Sequence, residues 1–260
     1  MRLGNFCADI KYGHLADSAA IVSAALALDA DLVSWAVNVP PSWAYTNITM
    51  PTTTASDSSS STHKHKPPMK DSMHGIYSDR YHIYKDLFVS SLWNNYRGAR
   101  IVVQEVILDC LDERQRLEPL NFEYSKLSRH SEAILRELTE DICASIPYHF
   151  GAASNPNSPS SAPTIHDYGQ YELQNNTVAG AGYVLVWPLF LAADCRFSSP
   201  ALRNWVIMCL DKIGHGMGIG QALAMATLLR QGMSSRSWND PLDDDDGFDG
   251  VTVDVNVDVI

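Results

Sequence analysis

The stretch "IGHGMGIGQALAMATLL", residues 213–229, sets four glycines at alternate positions, Gly214, Gly216, Gly218 and Gly220, directly before a helix-like run. Its reading separates a nucleotide-binding α/β fold from a helical one. A dinucleotide fingerprint requires G-x-G-x-x-G after a β-strand. Counted from Gly214 the third glycine falls at Ile219, and counted from Gly216 it falls at Gln221, so both registers fail. The preceding segment, "ALRNWVIMCLDKI", is amphipathic with a helical period. A Walker loop would need Gly-Lys-Ser/Thr, which is missing. The stretch therefore reads as a joint between two helices. Gly214 is expected to close the first helix in a left-handed cap, and Met217 and Gly218 are expected to form the turn.

Helical period extends outward from that joint. Ser199-Pro200 is an N-cap and first-turn pair opening a helix to about Ile213. Residues 219–231 form the next helix, closed by Gly232. Residues 15–38 give an Ala/Leu/Val-rich helix ending before Pro40-Pro41, and residues 125–146 another, stopped by Pro147. The clearest signal is "DRYHIYKDLFVSSLWNNYRGARIVVQEVILDCL", residues 79–112. Phe88, Leu92, Tyr96, Ala99, Val103, Val106 and Cys110 recur three or four apart on one apolar stripe, with Asp79 as the cap and Gly98 as a point of bending. Tyr96→Ala is accordingly expected to cost about 3 kcal/mol or more.

Two segments imitate membrane signals. Residues 19–28, "AAIVSAALAL", follow Asp9 and Asp17 and lack a clean positive flank. Residues 178–193, "VAGAGYVLVWPLFLAA", fall short of the ~20 needed to span a bilayer and contain Pro188. Both read as buried core helices, and no membrane association is expected.

Three stretches are too poor in apolar residues to offset the cost of ordering. They are residues 51–75, residues 151–168 and the acidic tail 233–260. The expectation is one all-α domain over residues 1–232 with two disordered loops, then a disordered tail. "VTVDVNVDVI", at the end of that tail, alternates like a strand but has no partner and reads as coil.

The net charge is −11, and residues 237–260 hold eight aspartates and no lysine or arginine. The body is thus nearly neutral, and without a basic stripe direct DNA binding by this chain is not expected. The five cysteines lie no closer than fourteen residues apart, so no zinc-ribbon or thioredoxin-like spacing exists. No metal or other cofactor is expected. G-x-S-x-G and H-E-x-x-H are absent, His82, His130, His149 and His215 are scattered, and Glu140 and Asp141 read as a solvated face. No enzyme is indicated.

One polar strip interrupts the apolar helix. In "SLWNNYRGAR", Trp93, Arg97 and Arg100 share a helical face, and Asn94 stands three residues before Arg97. Two readings stay open. The favoured one has both arginines paired with acids of neighbouring helices, fixing the packing. The other is an effector pocket offering two guanidinium groups to an acidic small molecule. In the tail, "SWNDPLDDDDGFDG" sets Trp238, Leu242 and Phe248 among aspartates. This pattern suits a solubilising tail and also an activation segment.

Four stretches, "LDADLVSWAVNVPPSWAYTNITMP", "YHIYKDLFVSSLWNNYRGARIVVQEVIL", "ELTEDICASIPYHFG" and "GYVLVWPLFLAADCRFSSPALRNWVIMCLDKIGHGMGIGQALAMATLL", resemble the C-terminal regulatory region of the fungal binuclear zinc-cluster transcription factors. The resemblance runs from about Ala24 to Leu229 and skips the two linkers. It implies an all-α regulatory domain, a nuclear location and a role in transcription. It further implies protein partners in the transcription machinery, with a small-molecule effector and a homodimer as further candidates. It also implies a six-cysteine zinc cluster for DNA binding, which this sequence lacks; the expectation is a head lost or lying outside the chain. The family pattern keeps glycines at Gly214 and Gly218, and Gly216 and Gly220 are extra. Two alternatives stand beside this reading. One is a helical enzyme using Arg97 and Arg100 on a prenyl or phosphorylated substrate, although "DDDD" at 243–246 lies in the tail rather than on a core helix. The other is a truncated, non-functional fragment.

Overall fold

The computed structural model describes residues 2–49, 77, 79–118, 121–150 and 177–234. Both predicted loops and nearly all of the tail, with Trp238, Leu242, Phe248 and the alternating "VTVDVNVDVI", lie outside these residues. Among the described residues the fold is all-α: α1 (Arg2–Lys11), α2 (Ser18–Asn38), α3 (Leu87–Leu117), α4 (Phe122–His149), α5 (Thr177–Asp194), α6 (Pro200–Met217) and α7 (Gly220–Arg230).

Local chemistry fixes most ends. The Asp17 carboxylate accepts the Ala20 N–H at the start of α2, and Ser199 accepts the Leu202 N–H at the start of α6. Gly232, at φ 71°, follows α7. There the Met233 N–H reaches back to the Leu228 carbonyl and the Gly232 N–H to that of Leu229.

Three boundaries differ from the sequence reading. The long helix starts at Leu87, not at Asp79, because the Asp86 carboxylate accepts the Val89 N–H at 2.8 Å. The preceding residues form β2 (Arg80–Ile83), antiparallel to β1 (Thr46–Thr49), with Thr46 opposite Ile83 and Thr49 opposite Arg80. β-Branched and aromatic side chains favour this pairing. Pro147 does not stop α4, which continues to His149. So near the end, its missing N–H forfeits one bond, and the next turn closes with Phe150 N–H on the Ile146 carbonyl. The left-handed cap of α6 is Gly218, at φ 73°, and not Gly214, which lies inside the helix.

The α6–α7 joint is instead a pair of notches. A Cβ on Gly214 would stand 2.3 Å from Leu223 Cδ2 of α7, and a Cβ on Gly182 of α5 would stand 2.2 Å from Met217 Sδ. The two glycines let three helices converge, and Met217 fills the second notch. Gly216 and Gly220 meet nothing within 4 Å.

α3 is the axis of the molecule. One side packs on α1 and α2 through Phe6, Ile21, Ala25, Leu28, Val103 and Ile107. The other side joins α4, α5, α6 and α7 through residues such as Ile101, Leu135, Ile142, Leu189 and Leu210. Residues 101–108 are therefore all buried, and no single apolar stripe exists there. The stripe read from sequence fails at its N-terminal half, where Phe88 is 62% exposed and Tyr96 is half-buried. α5 is a core helix as expected. α2 is not, since only Ile21, Ala25 and Leu28 are buried.

Candidate functional site: a polar ladder in the core

The strip on α3 faces inward. Ser90, Asn94 and Arg97 recur at i, i+4 and i+7, and Asp141, Ser145 and His149 recur on α4 at i, i+4 and i+8. The two sets meet in reverse order, which antiparallel helices require. Ser90 Oγ lies 2.6 Å from His149 Nε2. Asn94 Nδ2 donates to Ser145 Oγ at 3.0 Å. Arg97 Nε stands 3.6 Å from Asp141 Oδ2. Each rung lies about one turn from the next.

The Arg97 rung is the most elaborate. Its guanidinium is 1% exposed and lies 4.9 Å above the Tyr45 ring, with Trp93 and Tyr84 at 5.8 and 5.9 Å. Nη1 donates to Tyr84 Oη at 2.7 Å and to Asn94 Oδ1 at 2.9 Å. Tyr84 is then free to donate to His82 Nδ1 at 3.0 Å. That assignment puts the imidazole proton on Nε2, 3.8 Å from Asp141 Oδ1. Burial, with Arg97 and Arg80 nearby, holds His82 neutral by lowering its pKa to about 3. Burial likewise pushes the Tyr84 hydroxyl up to about 12, against the pull of Arg97. For Arg97 itself burial opposes the charge, but Tyr84, Asp141 and Tyr45 outweigh it and raise its pKa above the ordinary value.

β2 makes this rung possible. Arg80 and His82 alternate on one face of the strand, and Arg80 Nη2 reaches Asp141 at 3.0 Å and Glu140 at 3.5 Å. Asp141 is thus enclosed by Arg80, His82 and Arg97 rather than solvated, in contrast to the sequence reading. Glu140 remains mostly exposed.

Trp93 flanks the Arg97 rung with its ring, and Arg100 turns away from the ladder. Trp93 Nε1 donates to the Trp43 carbonyl at 2.8 Å, tying down the segment that covers Arg97. Arg100 forms a two-pronged pair with Asp29 of α2, at 2.7 and 3.0 Å, and donates to Tyr96 Oη at 3.1 Å. Protein groups therefore occupy the positions around both guanidinium groups that an acidic ligand would take.

The Ser90–His149 rung has the spacing of a nucleophile and its base. His149 Nδ1 donates to the Ala181 carbonyl at 3.1 Å, so Nε2 accepts the Ser90 proton. Yet Ser90 is 0% and His149 4% exposed, and burial lowers the His149 pKa to about 4. The pair spends its hydrogen bonds on joining helices and faces no solvent. A second set of acids, Glu105, Asp109 and Asp112, surrounds Arg196 in the α5–α6 connection and ties it to α3. Sequence reasoning missed this clamp, though its i, i+4, i+7 acidic spacing was visible. Among the described residues, no three His, Cys, Asp or Glu side chains are grouped to hold a metal ion.

Fold and site together define an all-α fold in which the buried polar side chains of the ladder join α3 to α4. The chain is similar to Transcription factor dbaG of Emericella nidulans, at 28% identity over 160 residues. That match covers 58% of this chain and 33% of the relative, so the chain matches about a third of the length of this curated protein. No family model and no solved structure matches the chain.

Proposed function

We propose that this chain is the helical regulatory region of a fungal zinc-cluster type of transcription regulator, working in the nucleus through protein contacts and without catalysis. The likeness to a transcription factor over more than half of the chain is the observation that carries this reading. The all-α fold agrees with it. The ladder supports it too, because the acid–base groups an enzyme would use are buried and bonded to one another. On this reading DNA contact belongs to another module, since the near-neutral body has no net positive charge to set against phosphates. The tail would supply activation through Trp238, Leu242 and Phe248.

Fusing the 260-residue chain to an unrelated DNA-binding domain tests the reading through a reporter. Output above that of the DNA-binding domain alone is expected. It should fall when Trp238, Leu242 and Phe248 are replaced by alanine, with every aspartate retained. A fusion with neither activation nor repression would remove the proposal, and output unchanged in the triple variant would remove the tail's part in it.

A further inference from the structure

α2 carries two apolar faces. The inner one, with Ile21, Ala25 and Leu28, packs on α3. The outer one runs Ala19, Ser23, Ala30, Leu26, Val33 and Val37, and in chain order its spacings are four, three, four, three and four. All six are exposed, from 36% at Val33 to 77% at Val37 among the large ones. This is the spacing of a coiled-coil seam. No charge lies on it: Asp29 is bonded inward to Arg100, and Asp31 is paired sideways with Arg2. A helix apolar on all sides is ordinarily buried on all sides. By length and composition α2 could also cross a membrane.

The order of side chain sizes along the seam identifies the occupant. The seam is symmetric about Leu28. Turned end for end against itself, it sets Ala19 against Val37, Ser23 against Val33 and Leu26 against Ala30. Every layer then holds one small and one large residue, so two copies interlock without a void or a clash. A parallel pairing would instead set Leu26 on Leu26 and Ala19 on Ala19. We propose that the outer face of α2 pairs antiparallel with the same face of a second copy of this chain, forming a two-fold dimer. Such a contact is isologous and closes at two. A stripe some 27 Å long on a helix about 10 Å across buries on the order of 800–1,000 Å² over both copies, the lower edge for specific association, so the dimer is weak. The proposal stands independently of the regulatory reading, since it uses only the face of α2.

Sedimentation velocity on the whole chain, from about 1 to about 100 µM, reads the equilibrium around micromolar affinity. The mass should rise from 28.7 kDa toward twice that value. Ala30→Glu puts a carboxylate against Leu26 of the second copy while remaining solvated in the monomer. It should raise the dissociation constant at least about 10-fold and leave the circular dichroism unchanged. Orientation is read by disulfide trapping: an equal mixture of Ala19→Cys and Val37→Cys chains should cross-link between the two variants. Ala19→Cys alone should not, because its two copies would lie about 27 Å apart. A parent chain that stays monomeric throughout, or a dimer indifferent to Ala30→Glu, overturns the proposal. Cross-linking of Ala19→Cys to itself, or a monomer that sediments with neutral lipid vesicles, overturns it equally.

Discussion

Arg97 should matter more to stability than its aromatic neighbour Tyr96, the reverse of what an apolar stripe implies. In Arg97→Met the side chain volume is roughly kept but the donors are lost. Asn94 Oδ1 and Asp141 Oδ2 lose their Arg97 partner, while Tyr84 keeps its bond to His82. An orphaned buried acceptor costs about 1–3 kcal/mol. Asp141 retains Arg80 at 3.0 Å, so the loss falls within the range of about 3–5 kcal/mol for breaking a buried pair, near 4 kcal/mol. Arg97→Lys keeps the charge but cannot bond Tyr84, Asn94 and Asp141 from one planar fork, and should cost about half as much. Tyr96→Ala removes a half-buried ring that touches Trp35 and Trp93, and about 2 kcal/mol is expected. Urea unfolding followed by tryptophan fluorescence and far-UV circular dichroism measures all three. Arg97→Met within about 1 kcal/mol of the parent at equal slope, or Tyr96→Ala the more damaging, would refute the ladder's role.

Acidification should destabilise the fold. His82 and His149 stay neutral in the folded chain down to about pH 3 and about pH 4, but take up protons near 6.5 when unfolded. Stability is therefore fully present above 6.5 and is lost as pH falls below it. The slope should reach roughly 1–1.5 kcal/mol per pH unit for each histidine. Melting curves at stepped pH check this, and His149→Gln should flatten the slope. Among the glycines, Gly214→Ala should lower stability by about 1–3 kcal/mol through overlap with Leu223. Gly216→Ala, helical and facing open space, should raise it by up to about 1 kcal/mol. Equal effects at the two positions would contradict the notch.

Much of the helical framework was legible because its signals are local. Ser199-Pro200 and Gly232 act within one turn of the ends they set, and the apolar periods of α4, α6 and α7 need no partner to be recognised. What escaped was decided at a distance. Tyr81, Tyr84 and Phe88 fit a helical period, but β1, more than thirty residues away, draws residues 80–83 into a strand. Asp141 looked solvated because nothing in its own helix neutralises it; Arg97, Arg80 and His82 come from elsewhere. The arginine strip was visible, but its rungs were not, because the matching spacing of Asp141, Ser145 and His149 gains meaning only once α3 and α4 lie antiparallel. Gly214 was correctly singled out and given the wrong task, since a cap and a notch leave the same residue in the sequence.

The pairing of Thr49 with Arg80 has a consequence for the stretch between them. Neighbouring strands lie about 5 Å apart, so the folded domain already holds both ends of that stretch together. Loop closure depends only logarithmically on length, and doubling the stretch adds about 0.6 kcal/mol. The interval from residue 50 to residue 76, ahead of Tyr77 whose ring lies 5.1 Å from that of Trp205, is therefore a place where sequence can be gained, lost or exchanged at little thermodynamic cost. Arg80 stays anchored to Asp141 at its far end. This makes it a natural position for inserting a fluorescent reporter, and one where related chains can differ widely in length without changing the core beneath.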